Sequence, residues 1–225
     1  MALGTLATMI RAALAIASVC VLAACGSADS ASPSADITKV SQVKSSFGPE
    51  FTTKDIPKTG VDPKVLSSHK LPDGLKFEPA DCAKFVAGQQ MPPGLQGNMA
   101  AEAAEGNGNR FIVIALQTSQ ALPFNDPGQN CKQVGFSGGP VRGMIEVVDA
   151  PQIDGTRTLG VHRVVQTTVD GQPRRGELYN YSAQFGDYEV IVTANPLVVP
   201  DKPVTPVDTN RARDLLVKGV AAIRS

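Results

Sequence analysis

The sequence predicts an α+β domain, a single antiparallel sheet packed with helices that include an amphipathic C-terminal helix. Three observations predict this fold class. Strand-like runs separated by short turn signals follow residue 141. Within 179–185, aromatic or small side chains alternate with polar ones, which is typical of a half-buried strand. The last helical segment carries one apolar stripe, formed by Ala212, Leu215, Leu216, Val220 and Ile223.

The C-terminal half is predicted to form a meander. Its runs are "VRGMIEVVDAP", "RTLGVHRVVQTTV", "GELYNYSAQF" and "YEVIVTANP". Turn residues at 154–155, 170–173 and 186–187 separate them, which favours antiparallel neighbours. The proline-rich "NPLVVPDKPVTP" cannot continue a sheet, so we expect it to lead to the final helix, capped at Asp208 or Thr209.

The N-terminal half is less regular. We expect short strands at "FTTKDI" and "LKFEP", and short helices at 38–47, 62–69 and 81–87. A tight turn at 106–108 is predicted to join two strands, of which the second, 111–116, is apolar without alternation. The alanine-rich first arm, 99–105, also fits a helix.

The first 36 residues predict export and anchoring. Residues 12–24 are apolar or small and too short to span a bilayer, so we assign 1–24 to a secretory signal peptide. The sequence "LAAC" ending at Cys25 fits a lipobox, in which the thiol receives a diacylglycerol; a soluble-secretion site ending at Ala24 is the alternative. Cys25 is therefore the expected lipid anchor at the outer face of the cell membrane. Residues 25–36 are expected to be a flexible tether, and 37–225 a single domain.

The charge balance excludes some classes of partner. Loss of Arg11 with the signal leaves twenty Lys and Arg against twenty-one Asp and Glu, a net charge of −1. Nucleic acid and a polybasic membrane-surface site both require a dense cationic field, so we expect no nucleic-acid partner. The expected membrane contact is the lipid anchor.

Two cysteines, Cys82 and Cys131, remain in the expected mature domain. In an oxidising compartment they most simply form one disulfide. A metal pair lacks further ligands at the required spacing, and a redox CxxC is absent. Closing a loop of about fifty residues stabilises the fold by about 4 kcal/mol in the chain-entropy model.

Motifs that resemble catalytic sites lack their structural context. "GFSGG" matches G-x-S-x-G at Ser137, but a proline and a strand-like run follow it instead of a helix, so we interpret it as a glycine-rich connection. His162 has no second ligand at metal-binding spacing. A pair among Glu177, Asp187 and Glu189 is the remaining hydrolase hypothesis. We predict no catalytic residue, metal or cofactor.

Aromatic side chains cluster late in the chain, at Tyr179, Tyr181, Phe185 and Tyr188. They pack in the core, or they form one wall of an apolar ligand pocket, since aromatics combine large contact area with polar tips. The second interpretation makes these four the candidate ligand-binding residues.

The lipobox, "PADCAKF", "IDGTRTLGVHR", "GELYNYSAQFGDYEVIVTANPLV" and "VDTNRARDLLVKGV" resemble mycobacterial and related actinobacterial lipoproteins of uncharacterised function over residues 37–225. The chain is more distantly similar to the extracellular sensor domains of mycobacterial serine/threonine kinases. The sensor resemblance implies an α+β domain with an antiparallel sheet and a cleft. Those domains typically carry two disulfides, whereas this chain has cysteines for one. Neither resemblance implies catalytic residues.

The leading functional hypothesis is therefore a non-enzymatic cell-envelope lipoprotein that binds a lipid, a glycolipid or an envelope protein. Anchoring at the membrane raises its effective concentration, so that weak binding is sufficient. A scaffold protein without a small-molecule pocket is the first alternative. A hydrolase that uses Ser137 or a carboxylate pair is the second.

Overall fold

A computed structural model describes most of the domain. The expected signal peptide, the Cys25 anchor, almost all of the tether and the expected helix at 62–69 lie outside the described residues. The described residues are 35–61, 71–89, 91–169, 171–200 and 202–225.

The described part contains strands and short helices around one sheet. The strands are β1 (Phe51–Gly60), β2 (Lys76–Glu78), β3 (Gly97–Gly106), β4 (Asn109–Thr118), β5 (Gln133–Gly138), β6 (Val141–Val148), β7 (Arg157–Val169), β8 (Gln172–Phe185) and β9 (Tyr188–Pro196). A 3-10 helix, Ile37–Ser46, precedes them. A 3-10 turn, Ala80–Cys82, leads into α1 (Ala83–Val86), and α2 (Thr209–Arg224) ends the chain.

All strands join one sheet in the order β1-β3-β4-β9-β8-β7-β6-β5-β2, and every neighbouring pair is antiparallel. The last five strands are adjacent in sequence order, so they form an up-and-down meander. The predicted fold class, a single antiparallel sheet with helices and a C-terminal meander, is confirmed.

The larger hydrophobic cluster lies where α2 packs on β4, β8 and β9. Asp208 caps α2 by accepting a hydrogen bond from the backbone N–H of Arg211 at 2.9 Å, as the sequence predicted. The whole predicted stripe is buried against the sheet: Ala212, Leu215, Leu216, Val220 and Ile223. We call the sheet face that α2 covers the helix face.

The alanine-rich arm is a strand, β3, and not a helix. Asn107 and Gly108 form the turn after it with φ values of 49° and 74°, which joins β3 to β4 as a tight hairpin. Ala100 and Ala104 belong to the same buried cluster as Val40 and Val43 of the 3-10 helix. The small alanine side chains therefore leave room for this helix to pack close to the sheet.

The smaller cluster lies on the opposite face of the sheet. Ile145, Val161 and Val165 are on the faces of β6 and β7 that point away from α2, and they pack with Phe85 and Val86 of α1. We call this face the disulfide face, because Cys82 and Cys131 are bonded there, with their Cα atoms 5.5 Å apart. The predicted disulfide is confirmed, and it ties the start of α1 to the loop before β5.

The glycine-rich "GFSGG" differs from its predicted role as a connection. Gly135 to Gly138 belong to β5, and only Gly139 and Pro140 form the turn to β6. The strand forms because Val134 and Phe136 are buried in the smaller cluster, which outweighs the low strand propensity of glycine. None of the described helices is long and apolar enough to cross a membrane.

Candidate functional site on the helix face of strands β5 to β8

The four aromatic candidates do not share one environment. Tyr181 is 1% exposed, belongs to the larger cluster, and its ring lies against Gly160, where any Cβ atom would meet the ring at 3.1 Å. Tyr188 is buried beside Phe185, with ring centroids 5.6 Å apart. Tyr179, by contrast, stacks on the half-buried imidazole of His162 at 4.1 Å. Tyr181 and Tyr188 therefore contribute packing to the core, and the ligand-wall hypothesis for the group stays a prediction.

The geometry does not assemble a serine triad. Ser137 is paired with Arg142 of β6, whereas His162 is paired with Glu146, four residues further along the same strand. Four residues of strand correspond to about 13 Å. A histidine at that distance is out of hydrogen-bond reach of the serine hydroxyl, so this pair does not form a nucleophile and base.

Glu177 and Glu189 do not form a glycosidase pair. Glu177 is paired with Val164 and is two residues from Tyr179, so it projects on the helix face. Glu189 is paired with Gln184 and projects on the disulfide face. Asp187 lies in the turn between β8 and β9. Two carboxylates on opposite faces of a sheet cannot flank one glycosidic bond.

Glu189 is a buried carboxyl group. It is 4% exposed, and burial raises its pKa to about 7, against the lowering effect of hydrogen bonds from Gln184 and Gln89. Gln89 also donates to the carbonyl oxygen of Pro123 at 3.2 Å, so the segment after α1 and the loop before β5 meet above this carboxyl group. Glu189 is thus covered by the segments that the disulfide joins.

A polar cluster around His162 occupies the middle of the helix face of β6 to β8. The imidazole Nε2 lies 2.9 Å from Oε1 of Glu177, and Nδ1 lies 3.9 Å from Oε2 of Glu146. Tyr179 stacks on the ring, and its phenol oxygen is 3.5 Å from the same Glu177 oxygen. Burial, followed by the charge of Glu177, raises the pKa of the Tyr179 phenol. The two carboxylates and the histidine therefore satisfy one another.

A second polar row crosses the same face four residues closer to the hairpin ends than His162. Its members are directly opposite one another on neighbouring strands: Lys76, Ser137, Arg142, Gln166 and Arg175. Paired residues of antiparallel strands project on the same side, so these five side chains point the same way. Arg142 Nε donates to Oε1 of Gln166 at 2.9 Å, which fixes the guanidinium plane beside β7.

The end of this row opens into a cleft of about 720 Å³. The turn at Gly139 and Pro140 forms one side, and the projecting end of the β7–β8 hairpin forms the other. This volume is within the usual range of roughly 300–1,000 Å³ for small-molecule sites. The lining residues are Ser137, Gly139, Pro140, Val141, Arg142, Gln166, Thr167, Thr168, Pro173, Arg174 and Arg175.

The cleft is electropositive. Arg142 and Arg175 project into it from the helix face, and the described lining contains no carboxylate. Arg174 also lies along the cleft, but it is paired with Thr167, so its side chain projects on the opposite face. Within the described ranges, every ion pair of 4 Å or less is made by other residues. Guanidinium groups stay charged at any physiological pH, so the helix face presents two permanent positive charges at the cleft.

Reading the sequence alone missed this cleft. The pair Arg174-Arg175 beside a predicted turn suggests two solvated side chains, and nothing local links them to Arg142. The link is the register of β6, β7 and β8, which places Arg142, Gln166 and Arg175 in one row. The turns that set this register are visible in the sequence. Counting residues outward from them along β6, β7 and β8 was the signal that could have placed these side chains in one row.

Comparisons with known proteins identify relatives without a named activity. The family model for the domain of unknown function DUF5642 matches residues 36–224. A crystal structure of an uncharacterised Mycobacterium smegmatis protein, the Rv0999 ortholog, is 63% identical, has a TM-score of 0.81, and covers 86% of this chain and 99% of its own. The extracellular domain of PknH from Mycobacterium tuberculosis aligns with a TM-score of 0.33 and 11% identity over 83% of this chain and 91% of that domain. No curated protein matches the chain.

Proposed function

We propose that this chain, which belongs to the DUF5642 family of domains of unknown function, is a cell-envelope lipoprotein. In this role it binds a lipid or glycolipid without chemically changing it. The cleft between the β5–β6 turn and the β7–β8 hairpin is the proposed binding site. Its size, and its mixture of side-chain donors with apolar Val141 and proline rings, support this role.

The non-enzymatic part of the proposal is supported by the arrangement of the reactive side chains. Ser137 is the serine of the G-x-S-x-G match, and the strand register keeps it about 13 Å from His162. His162, the base of the serine hypothesis, is held between Glu146 and Glu177. The separation of Ser137 from His162 thus supports a cleft that binds its ligand and releases it unchanged.

The lipid anchor at Cys25 is the second element of the proposal, and it rests on the sequence. A chain fixed to the outer face of the membrane meets envelope lipids at high local concentration, so that a modest affinity is enough for occupancy. Acylation at Cys25 predicts that Cys25→Ser moves the protein from the membrane fraction to the culture fluid. Cys20→Ser, within the expected signal peptide, is the matched control and leaves the protein in the membrane. A Cys25→Ser protein that stays membrane-bound contradicts the anchor.

Native mass spectrometry tests the binding role directly. The Cys25→Ser chain is purified gently from a mycobacterial host, and its native and denatured masses are compared. A co-purifying mass of lipid size supports the proposal. A ligand-free mass that stays unchanged when envelope lipid extract is added contradicts it.

A scaffold role is the second candidate, with an envelope protein as partner. The packing of Tyr181 and Tyr188 favours it, because these side chains form core and not the wall of an open pocket. Cross-linking in cells distinguishes the two roles. A scaffold gives a defined protein adduct that persists when the cleft arginines are replaced.

A further inference from the structure

We propose that the cleft recognises a phosphate or sulfate group, so that the ligand of this protein is an anionic lipid or glycan that carries one. This inference rests on the proposed binding function and adds the chemistry of the ligand. Its basis is the juxtaposition of Arg142 and Arg175 in a cleft whose described lining holds no carboxylate.

The two cleft arginines, Arg142 and Arg175, differ from several arginines elsewhere in the chain. Arg110 and Arg211 are paired with Glu105 and Asp208 at 2.6 and 3.6 Å. Arg224 donates to backbone carbonyl groups of the β6–β7 connection. The cleft arginines have no such carboxylate partner among the described residues, so their charge is available to a ligand.

The nearby carboxylates on the helix face are already engaged. Glu177 is two residues from Arg175 on the same strand, yet its Oε1 lies 2.9 Å from His162 Nε2. Glu146 is the other carboxylate beside this histidine. The face is thus divided into a cluster around His162, in which both carboxylates contact the imidazole, and a cationic end at the cleft.

The geometry of the donors fits a tetrahedral oxyanion. A guanidinium presents parallel N–H groups that match two oxygens of a phosphate or sulfate at once. The Nε of Arg142 is occupied by Gln166, which leaves its Nη groups for a ligand. Ser137 and Thr168, which project on the same face, add neutral hydroxyl donors to the lining. Several donors of this kind fit a phosphate or sulfate, which has three or four oxygens, better than they fit a carboxylate, which is flat and has two.

The proposed anion site is local, because the protein as a whole carries no excess of positive charge. The expected mature chain has a net charge of −1, so it has no general attraction to an anionic surface. Specific binding therefore depends on the cleft arginines, and removal of equal charge elsewhere leaves it unchanged. That difference provides the matched control.

The experiment measures binding of inorganic phosphate, inorganic sulfate and glycerol 3-phosphate by titration calorimetry to the acylated protein in a neutral detergent. The test variants are Arg142→Gln and the double variant Arg174→Gln/Arg175→Gln. The control is Lys54→Gln/Lys58→Gln, which removes the same charge from exposed positions on β1, the far edge of the sheet. We expect each cleft variant to weaken binding about tenfold or more, the value of a charge-assisted hydrogen bond, and the control to bind as the wild type does.

A second arm identifies the source of the oxyanion. The Cys25→Ser chain is floated with phosphatidylcholine vesicles that contain or lack phosphatidic acid. Arginine-dependent flotation only with phosphatidic acid identifies a lipid headgroup. Arginine-dependent binding of the soluble probes without flotation identifies a free or glycan-borne oxyanion.

Three outcomes overturn the inference: no binding of any probe by the wild type, equal binding by the cleft variants, and equal loss in the lysine control. Failure of the proposed function is a separate result. If native mass spectrometry shows a co-purifying lipid that is retained by Arg174→Gln/Arg175→Gln, the binding function stands and the oxyanion inference fails. Arg174 and Arg175 are exposed, so thermal unfolding of this variant is expected to match that of the wild type and shows that it folds.

Discussion

The two hydrophobic clusters of this domain are held together by different means. Among the described residues, the larger cluster contains 21 buried side chains beneath α2 and the 3-10 helix, whereas the smaller contains six beneath α1. Helix α2 is long enough to stay in place by its own apolar stripe. Helix α1 has four residues, too few to form a stable helix by itself, and the disulfide joins its start to the loop before β5. The covalent bond therefore lies where burial is least.

The comparison also shows where a ligand has access. The helix face is covered over β4, β8 and β9, and its continuation over β5 to β7 carries half-exposed or exposed side chains such as Arg142 and Gln166. On those strands it is the disulfide face that is buried. One sheet thus buries opposite faces at its two ends, and the candidate cleft lies on the end whose helix face is free.

Removal of the disulfide is expected to have the largest effect. Cys82→Ala/Cys131→Ala lowers the free energy of unfolding by about 4 kcal/mol, because the unfolded chain regains the freedom of a loop with 49 residues of separation. Chemical denaturation measures the loss. Hydrogen exchange is expected to increase in α1 and β5 and to stay low in α2. A loss of protection in α2 as large as in α1 contradicts a separate role for the disulfide.

The second largest expected effect is that of Glu189→Gln, which changes the pH dependence of stability. Burial raises the pKa of Glu189 to about 7 from 4.5, so the folded state holds the proton of this carboxyl group more tightly than the unfolded state does. The stabilisation that results is fully present below pH 4.5 and is lost as the pH rises through 7. The difference corresponds to about 3 kcal/mol. Relative to the wild type, the glutamine variant is expected to gain stability by up to this amount at pH 8 and none at pH 4.

Denaturation curves at both pH values check this prediction, and the disulfide sharpens it. Since the disulfide-linked segments cover Glu189, Cys82→Ala/Cys131→Ala is expected to admit water and to move the pKa of Glu189 back toward 4.5. The gain from Glu189→Gln at pH 8 then shrinks in that background. Glu105→Gln, an exposed carboxylate on β3, is the matched control and gives no such pH dependence. An equal gain in both backgrounds contradicts the role of the disulfide in covering Glu189.

The sequence was sufficient to predict the meander because its signals are local. Asp154-Gly155, Gly171 and Gly186 mark the turns, and these glycines have positive φ in the structure. The alternation in β8 and the stripe of α2 have strong periods. The disulfide followed from the small number of cysteines. All of these features can be predicted without knowing which strands pair with each other.

The features that the sequence did not predict depend on contacts between distant segments. β5 is a strand because Val134 and Phe136 reach the smaller cluster, although its glycines favour a loop. The alanine-rich β3 was compatible with a helix until the packing of the 3-10 helix on Ala100 and Ala104 decided it. The cleft requires Arg142 and Arg175 to share a row, and only the paired registers of three strands place them there.

The smallest expected effect concerns the border of the larger cluster, at Arg224. Its guanidinium lies over the ring of Phe185, 4.1 Å from the centroid, and donates to the carbonyl oxygens of Asp154 and Gly155 at 2.8 and 3.2 Å. It thereby joins the end of α2 to the β6–β7 connection. Because the contact is partly exposed, Arg224→Ala is expected to cost about 1 kcal/mol, and Arg224→Lys less, since an ammonium keeps the charge and loses the planar stacking.

Thermal and chemical denaturation of the two Arg224 variants measure this effect, and hydrogen exchange locates it. Increased exchange is expected in the last turn of α2 and at residues 153–156, with the smaller cluster unchanged. A loss above about 3 kcal/mol, the size of a buried large-to-small substitution, contradicts the comparison, since the larger cluster would then depend on its border as the smaller one depends on its disulfide. A loss near 1 kcal/mol confined to the border indicates that burial alone holds α2 on the sheet. The cleft, at the other end of the helix face, can then bind and release ligand without loosening the core.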